Sequence, residues 1–141
     1  MKILFLDIDG VCNSATYAHQ LGAGGMLGID PVPAALVRDI IAQTGCSVVL
    51  SSTWRLSKRG QDEVRSQVCE FVGTTPSSAD GVRGGEVRDW LLSNIAPGAG
   101  LTYAILDDDT DFSPNQPLFN TTWEKGLTPE IAAAVIAHLN K

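Results

Sequence analysis

Three short apolar runs in this chain stop abruptly at groups that a hydrophobic core does not accept: Lys2–Leu6 runs into Asp7, Cys46–Leu50 into Ser51, and Thr102–Leu106 into Asp107. Uninterrupted runs of about five apolar residues suit strands buried on both faces. Between them lie stretches with helical spacing. Leu36, Val37, Ile40 and Ile41 mark a helix over 31–44 that Gly45 stops. Val64, Val68 and Phe71 predict a second over 61–72, and Val87, Trp90, Leu91 and Ile95 a third over 86–96, ended by Pro97-Gly98. Thr128-Pro129-Glu130 opens a last helix, with Thr128 as cap and Pro129 in the first turn. Shorter strands are expected near 71–74 and 117–121.

Buried strands alternating with amphipathic helices require crossovers, and crossovers give parallel pairing. The expected fold is therefore α/β: a three-layer α/β/α sandwich with a mainly parallel sheet, as one domain over 1–141. Residues 9–30, rich in glycine and weakly periodic, read as loop, with the run Gly22-Ala23-Gly24-Gly25-Met26-Leu27-Gly28 as a flexible gate. The stretch from Thr75 to Gly85 reads as a second loop. Neither is long enough to build a folded cap domain.

The net charge of −6 disfavours tight non-specific binding to nucleic acid. Cys12, Cys46 and Cys69 share no metal-type spacing and read as thiols in a reducing compartment. No run is long enough to span a bilayer, so the expected location is cytoplasmic, with no membrane partner. His19 and His138 are isolated and read as surface or helix residues. Trp54 abuts the Ser51 loop and reads as core packing ahead of a face that could stack on a base or sugar, and Trp90 and Trp123 read as core.

In parallel sheets, chemistry gathers at the carboxyl ends of the strands. Those ends are Asp7-Ile8-Asp9-Gly10, Ser51-Ser52-Thr53-Trp54-Arg55 and Asp107-Asp108-Asp109-Thr110-Asp111. Spacing of two puts Asp7 and Asp9 on one side with Ile8 on the other. Close carboxylates repel, and a hard divalent cation such as Mg²⁺ relieves them. A hydroxyl at a strand end can donate to a phosphoryl oxygen, or it can cap the next helix.

Taken in order, a strand-end Asp-x-Asp-Gly, a strand-end Ser and a strand-end Asp-Asp resemble the haloacid-dehalogenase (HAD) superfamily. The segments Leu50–Arg55, Arg83-Gly84-Gly85-Glu86-Val87 with Trp90-Leu91, Ile105–Asp109 and Gly126-Leu127-Thr128 are similar to a small capless branch that includes domains of nucleic-acid repair proteins. The resemblance implies a HAD-type phosphatase with a Rossmannoid core. Asp7 would be the nucleophile that becomes an aspartyl-phosphate. Asp9 would be the general acid and then the general base. Ser51, with Ser52, would bind the substrate phosphate. Asp7, the backbone carbonyl of Asp9, Asp108 and an assisting Asp107 would hold Mg²⁺.

The family also uses a cation beside the phosphate, and no lysine sits just before the Thr102 strand. Arg83 is the first choice and Arg55 the second, ahead of Lys58, Arg59 and Arg88. The implied substrate is a phosphorylated small molecule or a nucleic-acid 3′ or 5′ end. Two rivals remain. A phosphate-sensing receiver would place its acceptor Asp on a middle strand, where this chain has Ser51. A catalytically inert partner-binding domain would keep the fold without needing Asp7.

Overall fold

The computed structural model describes residues 1–22 and 28–141, so the proposed gate lies mostly outside the described residues. Its centre is a sheet of strands β1 (Lys2–Leu6), β2 (Ser47–Leu50), β3 (Gly73–Thr74), β4 (Thr102–Asp107) and β5 (Leu118–Asn120). The spatial order is β3-β2-β1-β4-β5, and every pairing is parallel. The order reverses at β1, so a crevice opens at the carboxyl ends of β1, β2 and β4.

Side-chain alternation divides the core between the two faces of this sheet. Leu4, Leu6, Val48, Leu50, Ala104 and Leu106 face helices α2 (Pro31–Thr44), α3 (Lys58–Gln67) and α5 (Pro129–Leu139) through Val37, Ile40, Val64, Val135 and Leu139. Ile3, Phe5, Val49 and Ile105 face helix α4 (Arg83–Asn94) through Val87. Phe5 is fully buried and meets Trp90 and Tyr103 edge-on, at 5.6 and 5.9 Å between ring centroids. Deleting such a ring costs about 3–5 kcal/mol. These layers are the expected three-layer α/β/α sandwich, and the described residues contain no cap domain.

Several elements differ from the sequence reading. Helix α1 (Ala15–Leu21) lies in the segment read as loop. Ser14 Oγ accepts from Tyr17 N, and Gly22 ends the helix at φ +64°. None of its residues is buried, so it carries no apolar face to read. Helix α3 starts earlier than expected, because Ser57 Oγ caps Gly60 N, and it ends at Gln67. Val68 and Phe71 still enter the core, but beyond the helix. Helix α4 begins at Arg83 rather than Glu86. Its free amides are capped from a distance: Asp111 Oδ2 accepts from Arg83 N at 2.9 Å, and Asp111 O from Gly84 N at 3.1 Å. Trp123 is 46% exposed, not core. Its turn is tied to the fold by backbone, with Trp123 O accepting from Ala15 N at 2.8 Å. Among the described residues no helix is long and apolar enough to cross a membrane.

Candidate active site

Register builds the site. Phe5 pairs with Val49 on one side and Ile105 on the other, and all three face α4. Two residues further on, the same row reads Ser51, Asp7, Asp107. The ladder bonds continue into it: Ser51 N donates to Leu6 O at 2.9 Å and Asp7 N to Leu106 O at 3.0 Å. Thr75 and Asn120 extend the row at either end, through Thr75 N to Leu50 O and the pairing of Asn120 with Asp107. A period of two therefore delivers Asp7, Ser51 and Asp107 to the α4 side of the sheet.

Helix α4 answers with Arg83 at its first position. Arg83 Nη1 lies 3.3 Å from Asp7 Oδ1 and 3.1 Å from Asp107 Oδ2, and it also donates to Ser51 O at 3.2 Å. Its Nε lies 3.1 Å from Asp109 Oδ2. Both Asp7 and Asp107 are buried. Burial works against the Arg83 charge, but Asp7, Asp107 and Asp109 outweigh it and raise its pKa.

One arginine does not satisfy this cluster. Asp7, Asp107 and Asp108 each offer a carboxylate oxygen within 4.8 Å of the others. Burial and then Asp107 hold the Asp7 carboxyl well above the usual range, with Arg83 pulling the other way. Burial pushes Asp107 up to about 6 against the pull of Arg83, and burial and Asp109 raise Asp108. Arg83 reaches Asp7 and Asp107 but makes no ion pair with Asp108, so one guanidinium does not offset the triad, whose ligand atoms are all hard oxygen donors. That donor set fits a divalent cation of the Mg²⁺ type.

Gly10 shapes the other wall. It sits at φ +80°, and a Cβ there would collide with the Asp108 carboxylate. Its amide donates to Asn13 Oδ1 at 3.0 Å, and its carbonyl accepts from Thr121 Oγ1 at 2.6 Å.

A family model described as the HAD domain in Swiss Army Knife RNA repair proteins matches residues 3–132. The chain belongs to this family. No curated protein and no solved structure matches it significantly.

In this HAD domain the two strand-end serines part company. Ser52 Oγ accepts from Trp54 N and caps the 3₁₀ turn Thr53–Leu56. Ser51 Oγ is buried and has no partner among the described residues. Thr75 Oγ1, at the end of the same row, is likewise buried without a partner.

Arg55, the second choice for the phosphate, lies away from the Asp7–Arg83 contact. Its guanidinium is buried and already engaged: Nε donates to Thr75 O at 2.8 Å, Nη1 to Ser52 O at 3.0 Å, and Nη2 lies 3.5 Å from Glu86 Oε2. It ties the Ser51 loop to the first turn of α4. Of the other candidates, Lys58 and Arg59 pair with Asp62 and Glu63 on the α3 surface, and Arg88 lies against Asp89.

Asp9 stands apart from the carboxylate triad. Its Oδ1 accepts from Asn13 Nδ2 at 2.9 Å and from Trp54 Nε1 at 3.1 Å. Sequence reasoning missed both donors in this role. Asn13 carries no motif signal, and Trp54 reads as packing ahead of any role at the site. His138 Nε2 lies 2.9 Å from Tyr103 O, and His19 is exposed on α1, so neither joins the cluster.

Proposed function

We propose that this domain is a Mg²⁺-dependent phosphomonoester hydrolase that works through an aspartyl-phosphate on Asp7. The observation that carries the reading is the in-register row Ser51–Asp7–Asp107 bridged by Arg83. It puts a buried carboxylate, a hydroxyl without a partner and a guanidinium on one edge of the sheet.

Asp7, Asp107 and Asp108, with the backbone carbonyl of Asp9, would hold Mg²⁺, which supplies charge neutralisation and Lewis acidity toward phosphoryl oxygens. Arg83 and Ser51 then have defined tasks. The guanidinium, already on Asp7, neutralises an incoming phosphate, and Ser51 Oγ donates to one of its oxygens. An Asp7 oxygen attacks phosphorus and the ester oxygen leaves with a proton from Asp9. Asp9 next takes a proton from water, which attacks the acyl-phosphate and releases inorganic phosphate with Asp7 restored.

The substrate we favour is a phosphorylated nucleic-acid end. The family description names RNA repair proteins. An edge with no cap domain among the described residues also suits a bulky ester. The net charge of −6 accords with recognising one terminus rather than gripping a polymer.

The test is a phosphate-release panel with Mg²⁺ over 3′- and 5′-phosphorylated oligonucleotides, mononucleotides, sugar phosphates and phosphopeptides. Turnover should stop with EDTA and in Asp7→Asn. Activity retained by Asp7→Asn would refute the mechanism, and a preference for sugar phosphates would move the substrate to small metabolites.

A further inference from the structure

We infer that Trp54 and Asn13 are positioning residues that lock one oxygen of Asp9 and leave the other to exchange the proton. This rests on the phosphatase reading above and adds a specific device to it. Both donors converge on Oδ1, at 3.1 and 2.9 Å, and no described residue donates to Oδ2. A carboxylate held through one oxygen keeps its plane fixed and presents the second oxygen in one direction.

The two donors are themselves held. Asn13 is fully buried; its Oδ1 accepts from Gly10 N and its Nδ2 also reaches Gly28 O at 3.3 Å. Trp54 rides on the 3₁₀ turn capped by Ser52, half-buried against the core. Gly60 lets helix α3 press against that turn, because a Cβ there would collide with Trp54 O. The proton-transfer group is thus tied to the β2 end, which carries Ser51, and to the loop beyond β1, which carries Gly10.

In the larger capped enzymes of any fold, closure can complete such a site. Here the orienting groups come from the core itself. The consequence is selective. Protonating the leaving oxygen matters for an alkoxide and hardly at all for 4-nitrophenolate, so loss of Asp9 orientation should depend on the leaving group. A merely structural loss would not distinguish the two esters.

The experiment compares kcat/KM for a nucleoside 3′-monophosphate and for 4-nitrophenyl phosphate in the full chain with Mg²⁺. Trp54→Phe keeps the packing and removes the N–H. It should lose about tenfold on the nucleotide and stay within about twofold on the nitrophenyl ester. Asn13→Ser also frees the Gly10 amide, so it should lose on both esters but more on the nucleotide. Equal losses on both esters, or no loss on either, in the folded variants would overturn the inference while leaving the phosphatase reading intact. Asp7→Asn serves as the separate control: if it still hydrolyses both esters, the phosphatase reading itself falls.

Discussion

Gly10 and Asp108 occupy the same few ångströms at the carboxyl edge of the sheet, and only the missing side chain of Gly10 lets the Asp108 carboxylate lie where it does. The glycine at φ +80° serves twice, turning the chain sharply after Asp9 and leaving room for an acid that arrives from β4.

Gly10→Ala should therefore damage the proposed metal site more than the fold. The left-handed backbone costs an alanine about 1–2 kcal/mol. The collision also displaces Asp108 from the triad. Calorimetric titration with Mg²⁺ should show affinity reduced by at least about tenfold. Unchanged affinity would remove Asp108 from the ligand set.

Arg83→Ala should lower kcat/KM for the best phosphomonoester by about 100-fold or more, comparable to removing a transition-state donor. Arg88→Ala, on an exposed arginine beside Asp89, should leave it unchanged. Steady-state kinetics on the two variants decides this, and the reverse ranking would move the cationic role along α4.

Much of this was legible from the sequence because one rule carries both fold and site. The apolar runs that become β1, β2 and β4 end at Asp7, Ser51 and Asp107, and a period of two sends all three to one face. Arg83 could be favoured but not placed, since the start of α4 is defined by Asp111, 28 residues away. Arg55 looked available because a basic residue after a strand-end serine gives no sign of Glu86 waiting in another helix. Helix α1 went unread for a plainer reason: amphipathicity is written by burial, and α1 buries nothing.

The Arg55–Glu86 pair should matter to stability. Breaking one partner of a buried ion pair typically costs about 3–5 kcal/mol, because the survivor is left uncompensated. Arg55→Met and Glu86→Gln should each lower the urea midpoint, and the double variant should lose less than the two combined. Strict additivity would mean that the contact at 3.5 Å contributes no coupling.

The metal-free protein should show an inverted pH response at Asp107. Its folded pKa, about 6, lies above its ordinary value of 3.8, so the native state holds the proton more tightly than the unfolded chain. The stabilising contribution is complete below about pH 4 and is lost as pH rises through about 6. In EDTA, the stability difference between the wild type and Asp107→Asn should shift against the wild type between pH 4 and 7, at roughly 1.4 kcal/mol per pKa unit. Added Mg²⁺ should recover more melting temperature at pH 7 than at pH 5, since it competes with protons for the same oxygens. A flat difference between the two proteins would contradict the burial of Asp107.

Because Ser51, Asp7 and Asp107 stand shoulder to shoulder across three strands, a register slip of the whole β1 strand by one residue would swing Asp7 to the α2 side and carry Phe5 with it. The chain has no way to lose its chemistry by slippage and keep its core. A β1 strand of unchanged length that still packs Phe5 against Trp90 therefore keeps Asp7 in line with Ser51 and Asp107.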